Sequence, residues 1–177
     1  AIALFFLMPH MTEMKQTDIR TEFGAFKNSQ VWFTVIMGVV GFGGMFSVYT
    51  YISWTMTEVA GMDQSLIWVV LMAYGIGMTI GNAFGGWLAD RNLEFGIIFA
   101  LACLIVILTA FYFLSGHAIP AILCFGCVAF MGSTLVPSLQ LRLVHVAGDA
   151  QTLAAALNQS ALNIANAAGA TIGGAVV

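Results

Sequence analysis

Five apolar runs, at about 31–54, 66–88, 95–114, 119–138 and 152–177, constrain this chain more than any other feature of it. Each is near the roughly 20 residues that a helix needs to cross a bilayer. In hydrocarbon no water can bond an exposed amide, so a spanning run must satisfy its backbone internally as an α-helix. The charges do not offer another solution. Of 177 residues 60% are hydrophobic and only 7% are charged, with a mean hydropathy of +0.97. A soluble domain carries about 25% charged residues. The chain is therefore expected to be an all-α polytopic membrane protein with about five transmembrane helices.

The loops orient these spans. Lys15, Arg20 and Lys27 precede the first span, Arg91 follows the second and Arg142 follows the fourth. The connectors after the first and third spans contain no Lys or Arg. Under strict alternation all five basic residues fall on one side, which the positive-inside rule makes cytoplasmic. Residues 9–30, 89–95 and 139–151 are thus expected in the cytoplasm. Trp32, Trp54, Trp68 and Trp87 lie near span ends, where indole rings favour the interface. Five Lys plus Arg without a basic patch exclude nucleic acid as a partner.

The second span holds the densest signal. In GMTIGNAFGGWLADR, Gly77, Gly81 and Gly85 recur every four residues and so share one helical face. A face without side chains admits a neighbouring helix backbone, the small-xxx-small mode of membrane packing. The run ends at Asp90-Arg91, a charged stop at the water boundary.

No Asp, Glu, Lys, Arg or His occupies the middle of any span, although such residues usually mark ion pathways and proton relays. Polar character inside the membrane is neutral. In the last span Gln159, Asn163 and Asn166 fall within roughly 60° of one another at about 100° per residue, with Ala154, Ala161, Ala165 and Ala168 nearly opposite. Amides in lipid need partners or water. This stripe fits either interhelical hydrogen bonding or the wall of a substrate cavity, and the cavity is the reading adopted. The first span offers a second wall in Phe42, Phe46, Tyr49 and Ser53, of which Phe46 and Tyr49 are the candidates for ligand contact. Pro137 is expected to kink the fourth span, and Pro120 to start it harmlessly. Cys124 and Cys127 form a CxxC pair, but in an apolar run they read as small hydrophobes, like Cys103. No metal cluster, nucleophile triad or intramembrane acid suggests an enzyme. No cofactor and no metal are expected.

Gly86-Trp87-Leu88-Ala89-Asp90-Arg91 resembles the G-x-L-A-D-R core of the signature loop of the major facilitator superfamily. The second half of that motif, normally G-R-R/K, is replaced by Leu93, Glu94 and Phe95, which suits the degenerate copy between helices 8 and 9. The resemblance implies a C-terminal half bundle, truncated at both ends. Residues 1–8 would be the tail of a preceding helix, 9–30 the cytoplasmic central loop, and 31–177 a partial bundle of helices 7 to 11. VPSLQLR and ALNQSALNIANAAGATIGG are similar to drug/proton antiporter-type permeases, with the closest likeness to the arabinose-efflux and nucleoside-efflux branch.

That likeness implies a proton-coupled secondary transporter in the bacterial inner membrane. It would export a small solute, such as a sugar, nucleoside or drug, by alternating access. Its partners would be the lipid bilayer, the small-molecule substrate and the missing N-terminal half. Gly86, Asp90 and Arg91 would form a latch: Gly86 for close approach, Asp90 at the positive end of another helix, Arg91 on carbonyls or headgroup phosphates. The alternative is a truncated membrane protein, or a structural helix bundle, without transport activity of its own.

Overall fold

The computed structural model describes Glu22 and residues 24–175. Among the described residues the chain is all helix and turn. The main helices are α1 (Ser29–Trp54), α2 (Ile67–Leu114), α3 (Ala118–Ala147) and α4 (Gln151–Gly174). A 3-10 turn at Ala25–Lys27 leads into α1 and a π turn at Thr55–Val59 extends it. A second 3-10 turn at Gln64–Leu66 leads into α2. Three stretches, Ser29–Val59, Gln64–Leu114 and Ala118–Ala147, are long and apolar enough to cross a membrane.

Helix α2 has 48 residues. A straight helix of that length would measure about 72 Å, more than twice the hydrocarbon core. It is broken at Asn92, whose φ of −155° and ψ of 94° are not helical. The Asn92 Oδ1 accepts a bond from the Phe95 amide at 3.1 Å, capping the limb that follows. The limbs 67–91 and 93–114 are therefore two helices, each of about the length that crosses a bilayer. A methyl group on Gly96 would lie 3.0 Å from Leu88, so the limbs meet directly beside the break. In place of the connector expected at 89–95, helix continues on both sides of one residue. Helix α3 likewise runs on to Ala147, through Pro137, into the stretch read as a loop.

Two close seams hold the bundle. Gly77, Gly81 and Gly85 of the first α2 limb lie against the α3 backbone at Gly126, Phe130 and Thr134. Those three are themselves four residues apart, so two ridges of equal period meet. A Cβ on Gly85 would come within 2.5 Å of the Thr134 carbonyl oxygen. The Thr134 hydroxyl adds a bond across the seam to the Gly81 carbonyl at 3.1 Å, shared with Phe130 of its own helix at 2.9 Å. In the second seam α4 presents Ala161, Ala165, Gly169 and Gly173 to Gly38, Gly43, Ser47 and Tyr51 of α1. The Tyr51 hydroxyl donates to the Ala170 carbonyl there at 2.9 Å.

The core fills the space between the seams. Phe42, Met45, Ile97, Leu104, Val128, Leu135 and Leu139 form one cluster, and Met56, Val70, Tyr74, Ala121 and Phe125 a second toward the α1–α2 turn. Large apolar side chains also cover the outside, including Val40, Ile98, Ile105, Val106, Phe113 and Leu123. Such a surface matches lipid rather than water.

Candidate functional site

The packing of α4 decides where its amides go. Ala154, Ala161 and Ala165 are buried, as expected from their helical positions, and Ala168 is half-buried. Gln159, Asn163 and Asn166 are all exposed, and none has a hydrogen-bond partner among the described residues. Among the described residues they make no interhelical hydrogen bond. Asn158, which the stripe argument passed over, is the buried amide of α4, at 6% exposure.

The aromatic stripe of α1 divides in the same way. Phe42 is fully buried in the core, Phe46 is half-buried against it, and Tyr49 and Ser53 are exposed. Tyr49 lies against Tyr74 of α2, centroids 4.8 Å apart, and Tyr74 stacks on Phe125 of α3 at 4.7 Å. This ladder ties three helices together. Tyr74 escaped the sequence reading because one aromatic residue in an apolar run carries no period of its own.

The ends of the helices at 22–34, 90–94 and 142–153 gather on one side of the bundle through polar bonds. Arg142 donates to Thr34 of α1 at 3.2 Å, to Gln30 at 3.4 Å and to Glu94 of the second α2 limb at 3.2 Å. Its side chain is 19% exposed and that of Glu94 is 77% exposed. Asn28, which caps α1, donates to the Val146 carbonyl at the end of α3 at 2.8 Å. Glu22 accepts from the Leu153 amide in the first turn of α4 at 2.9 Å, where a carboxylate meets the positive helix end. The sequence held one signal for this network: an acid, Glu94, where the resembled motif has a base.

The signature-loop residues are placed differently from one another. Asp90 is exposed without a partner among the described residues, and Arg91 sits over the Trp87 ring, 4.3 Å from its centroid. A Cβ on Gly86 would meet nothing within 4 Å. Gly86, Asp90, Pro137 and Gln140 border a groove of about 330 Å³ between α2 and α3. A second groove, of about 470 Å³, lies between α1, the second α2 limb and α4, beside Gly44, Tyr51, Leu108, Tyr112 and Gly173. Among the described residues no group of His, Cys, Asp and Glu could hold a metal ion.

The family model of the Major Facilitator Superfamily matches residues 1–176. The inner membrane transport protein YdhP of Escherichia coli K12 is 34% identical over 180 residues, covering 99% of this chain and 45% of YdhP. The MFS-type transporter YfhI of Bacillus subtilis is 35% identical over 162 residues, covering 90% and 40%. A probable sugar efflux transporter of Pasteurella multocida is 26% identical over 180 residues, covering 99% and 44%. No solved structure matches. The chain thus spans less than half the length of the curated relatives it matches. With a family model that takes in nearly every residue, and helices built to cross a membrane repeatedly, the chain belongs to the major facilitator superfamily.

Proposed function

We propose that the chain forms part of the second half of a secondary active transporter. It exports a small solute, such as a sugar, nucleoside or drug, by alternating access coupled to protons, in a bacterial inner membrane. The observation that carries this is the amide face of α4. Gln159, Asn163 and Asn166 are exposed on a membrane-length helix with no partner in the bundle. Three amides would be costly against lipid, whereas a water-filled path gives them partners. Phe46 and Tyr49 would add an aromatic wall from α1. The names of YdhP and the Pasteurella relative agree with membrane transport and with efflux.

The remaining half of the transporter docks on the first α2 limb. Besides the glycines buried against α3, this limb has a second face of small residues, Gly75, Thr79, Ala83 and Gly86, which is open. Asp90, at the foot of that face, is placed to meet the positive end of an incoming helix and act as a latch. The ends bearing Lys27, Arg91 and Arg142 are cytoplasmic.

The test is Asn163→Ala and Asn166→Ala in the full-length transporter, reconstituted in vesicles and assayed with labelled sugars, nucleosides and drugs. Losing one hydrogen bond to a solute lowers transport by about 2- to 13-fold, from roughly 0.5–1.5 kcal/mol. Membrane abundance stays unchanged. An equal fall in abundance and transport would favour the structural bundle instead.

A further inference from the structure

We infer that residues 22–28 form a strap that fastens the foot of α4 to α1, and that releasing Glu22 lets this foot open. The bonds alone carry the strap; its bearing on transport rests on the reading that α4 walls the path.

Helix α4 has no cap of its own. The first amides of a helix lack partners within it, and a neighbouring Asn, Asp or Ser side chain ordinarily takes one of them. Asn28 does this for α1 through Gln30, and Asn92 for the second α2 limb through Phe95. At the head of α4 stands Ala150, which offers no side-chain acceptor. The acceptor for the Leu153 amide comes instead from Glu22, 131 residues earlier in the chain. A carboxylate there faces the positive end of the helix, so its charge adds to the hydrogen bond.

The rest of the segment holds that carboxylate in place. Asn28 works in two directions: its Oδ1 accepts from Gln30 at 3.0 Å, and its Nδ2 donates at 2.8 Å to the Val146 carbonyl in the last turn of α3. The Trp32 indole nitrogen donates to the Phe26 carbonyl at 2.9 Å, and the two rings lie 5.9 Å apart. These bonds pin the 3-10 turn at Ala25–Lys27 to α1. The segment therefore grips both sides of the α3–α4 corner. It sets a donor on the negative end of α3 and an acceptor on the positive end of α4.

That corner is a joint. Only Gly148, Asp149 and Ala150 connect the two helices, and Gly148 has a φ of 59°, in the region that favours glycine. Beside the corner, Ala154 and Ala161 pack in one cluster with Val31, Val35 and Leu143. This packing keeps α4 on α1 without Glu22, yet alanines bury little apolar area, so the first turn depends on the strap. Because α4 bears the amide face, the strap then sets how the cytoplasmic mouth of the path opens.

The experiment is hydrogen exchange, read by mass spectrometry, on the full-length transporter carrying Glu22→Ala, Glu22→Gln or Asn28→Asp. In Glu22→Ala the amides at 151–157 exchange roughly 2- to 30-fold faster, the range for losing a helix cap, and those at 121–135 stay unchanged. Glu22→Gln keeps an acceptor oxygen and falls between Glu22→Ala and the native protein. Asn28→Asp preserves the cap on α1 but sets an oxygen against the Val146 carbonyl, and it speeds exchange in the same stretch. Unchanged exchange at 151–157 in Glu22→Ala overturns the strap, and so does an equal rise at 121–135, which marks general loosening. Opening is read from Ala154→Cys, buried in the closed foot, in an otherwise cysteine-free transporter. Glu22→Ala speeds its reaction with a water-soluble thiol reagent at least twofold, and equal rates overturn the opening. Neither readout needs a substrate, so a transporter that moves no solute overturns the transport reading and leaves the strap standing.

Discussion

Adding one methyl group to Gly81 should damage this protein, while adding one to Gly75, six residues away on the same limb, should not. The Cβ of Gly81→Ala would meet the Phe130 carbonyl oxygen and would lie 2.9 Å from both the carbonyl carbon and the Cα of that residue. Ordinary carbon contacts begin near 3.5 Å, and these atoms are backbone within α3, which cannot rotate away. The limb and α3 must separate by roughly 1 Å, enough to forfeit a quarter to a half of the dispersion energy along the contact. Overpacking of this kind costs about 1–3 kcal/mol. The Thr134–Gly81 hydrogen bond, 3.1 Å long, is stretched as well and adds roughly 1 kcal/mol. At Gly75 nothing lies within 4 Å, and alanine gains up to about 1 kcal/mol of helix preference. The assay is denaturation of the purified full-length transporter in detergent. A difference between the two variants of roughly 2–4 kcal/mol is expected. Equal midpoints for Gly81→Ala and Gly75→Ala would refute the claim that backbone contact, rather than general helix preference, explains the glycine period.

Other outcomes follow from the same geometry. Arg142→Gln removes bonds to three residues of two helices and should destabilise the full-length protein by about 1–3 kcal/mol, while Glu94→Gln, with its exposed carboxylate, should cost under about 1 kcal/mol; reversed magnitudes in the same melt would contradict the network. Gly86→Leu should leave stability within about 0.5 kcal/mol, since no described atom is near, yet raise thiol accessibility on the cytoplasmic side if this face receives the other half. Asp90→Asn should do the same through charge, shifting the conformational balance by roughly 2- to 5-fold for about 0.3–1 kcal/mol; unchanged accessibility in both variants would leave Asp90-Arg91 a plain helix stop. A single cysteine at Lys27 should resist an impermeant thiol reagent in intact cells and one at Met62 should react, and the opposite pattern would invert the topology.

The helical class and membrane setting were legible because hydrocarbon leaves an apolar run of twenty residues only one backbone solution. The glycine period at 77, 81 and 85 pointed to a close seam, and that is where the α3 backbone lies. The sequence could not identify the partner, since the matching ridge of Gly126, Phe130 and Thr134 contains one ordinary aromatic residue and one threonine. Nor did it reveal that α2 turns back at one residue. Asn92 looks like any polar residue of a loop, and only its capping bond to Phe95 makes a longer connector unnecessary. Angular spacing marks the exposed amides of α4 but not Asn158, one residue from Gln159 and turned toward the packed face. Arg142 and Glu22 act over more than a hundred residues of separation, which no local pattern encodes.

The central claim is that the amide face of α4 lines a water-filled path, and reactivity along that helix tests it most directly. In a cysteine-free full-length transporter, Asn163→Cys, Asn166→Cys and Ile164→Cys sit at nearly one depth, and all three positions are exposed in the bundle, Ile164 by 53%. They differ in direction, because Ile164 lies about 100° from Asn163 around the axis. A water-soluble thiol reagent should modify Asn163→Cys and Asn166→Cys at least tenfold faster than Ile164→Cys, which faces lipid. Equal rates at all three positions, or faster reaction at Ile164→Cys, would contradict the account.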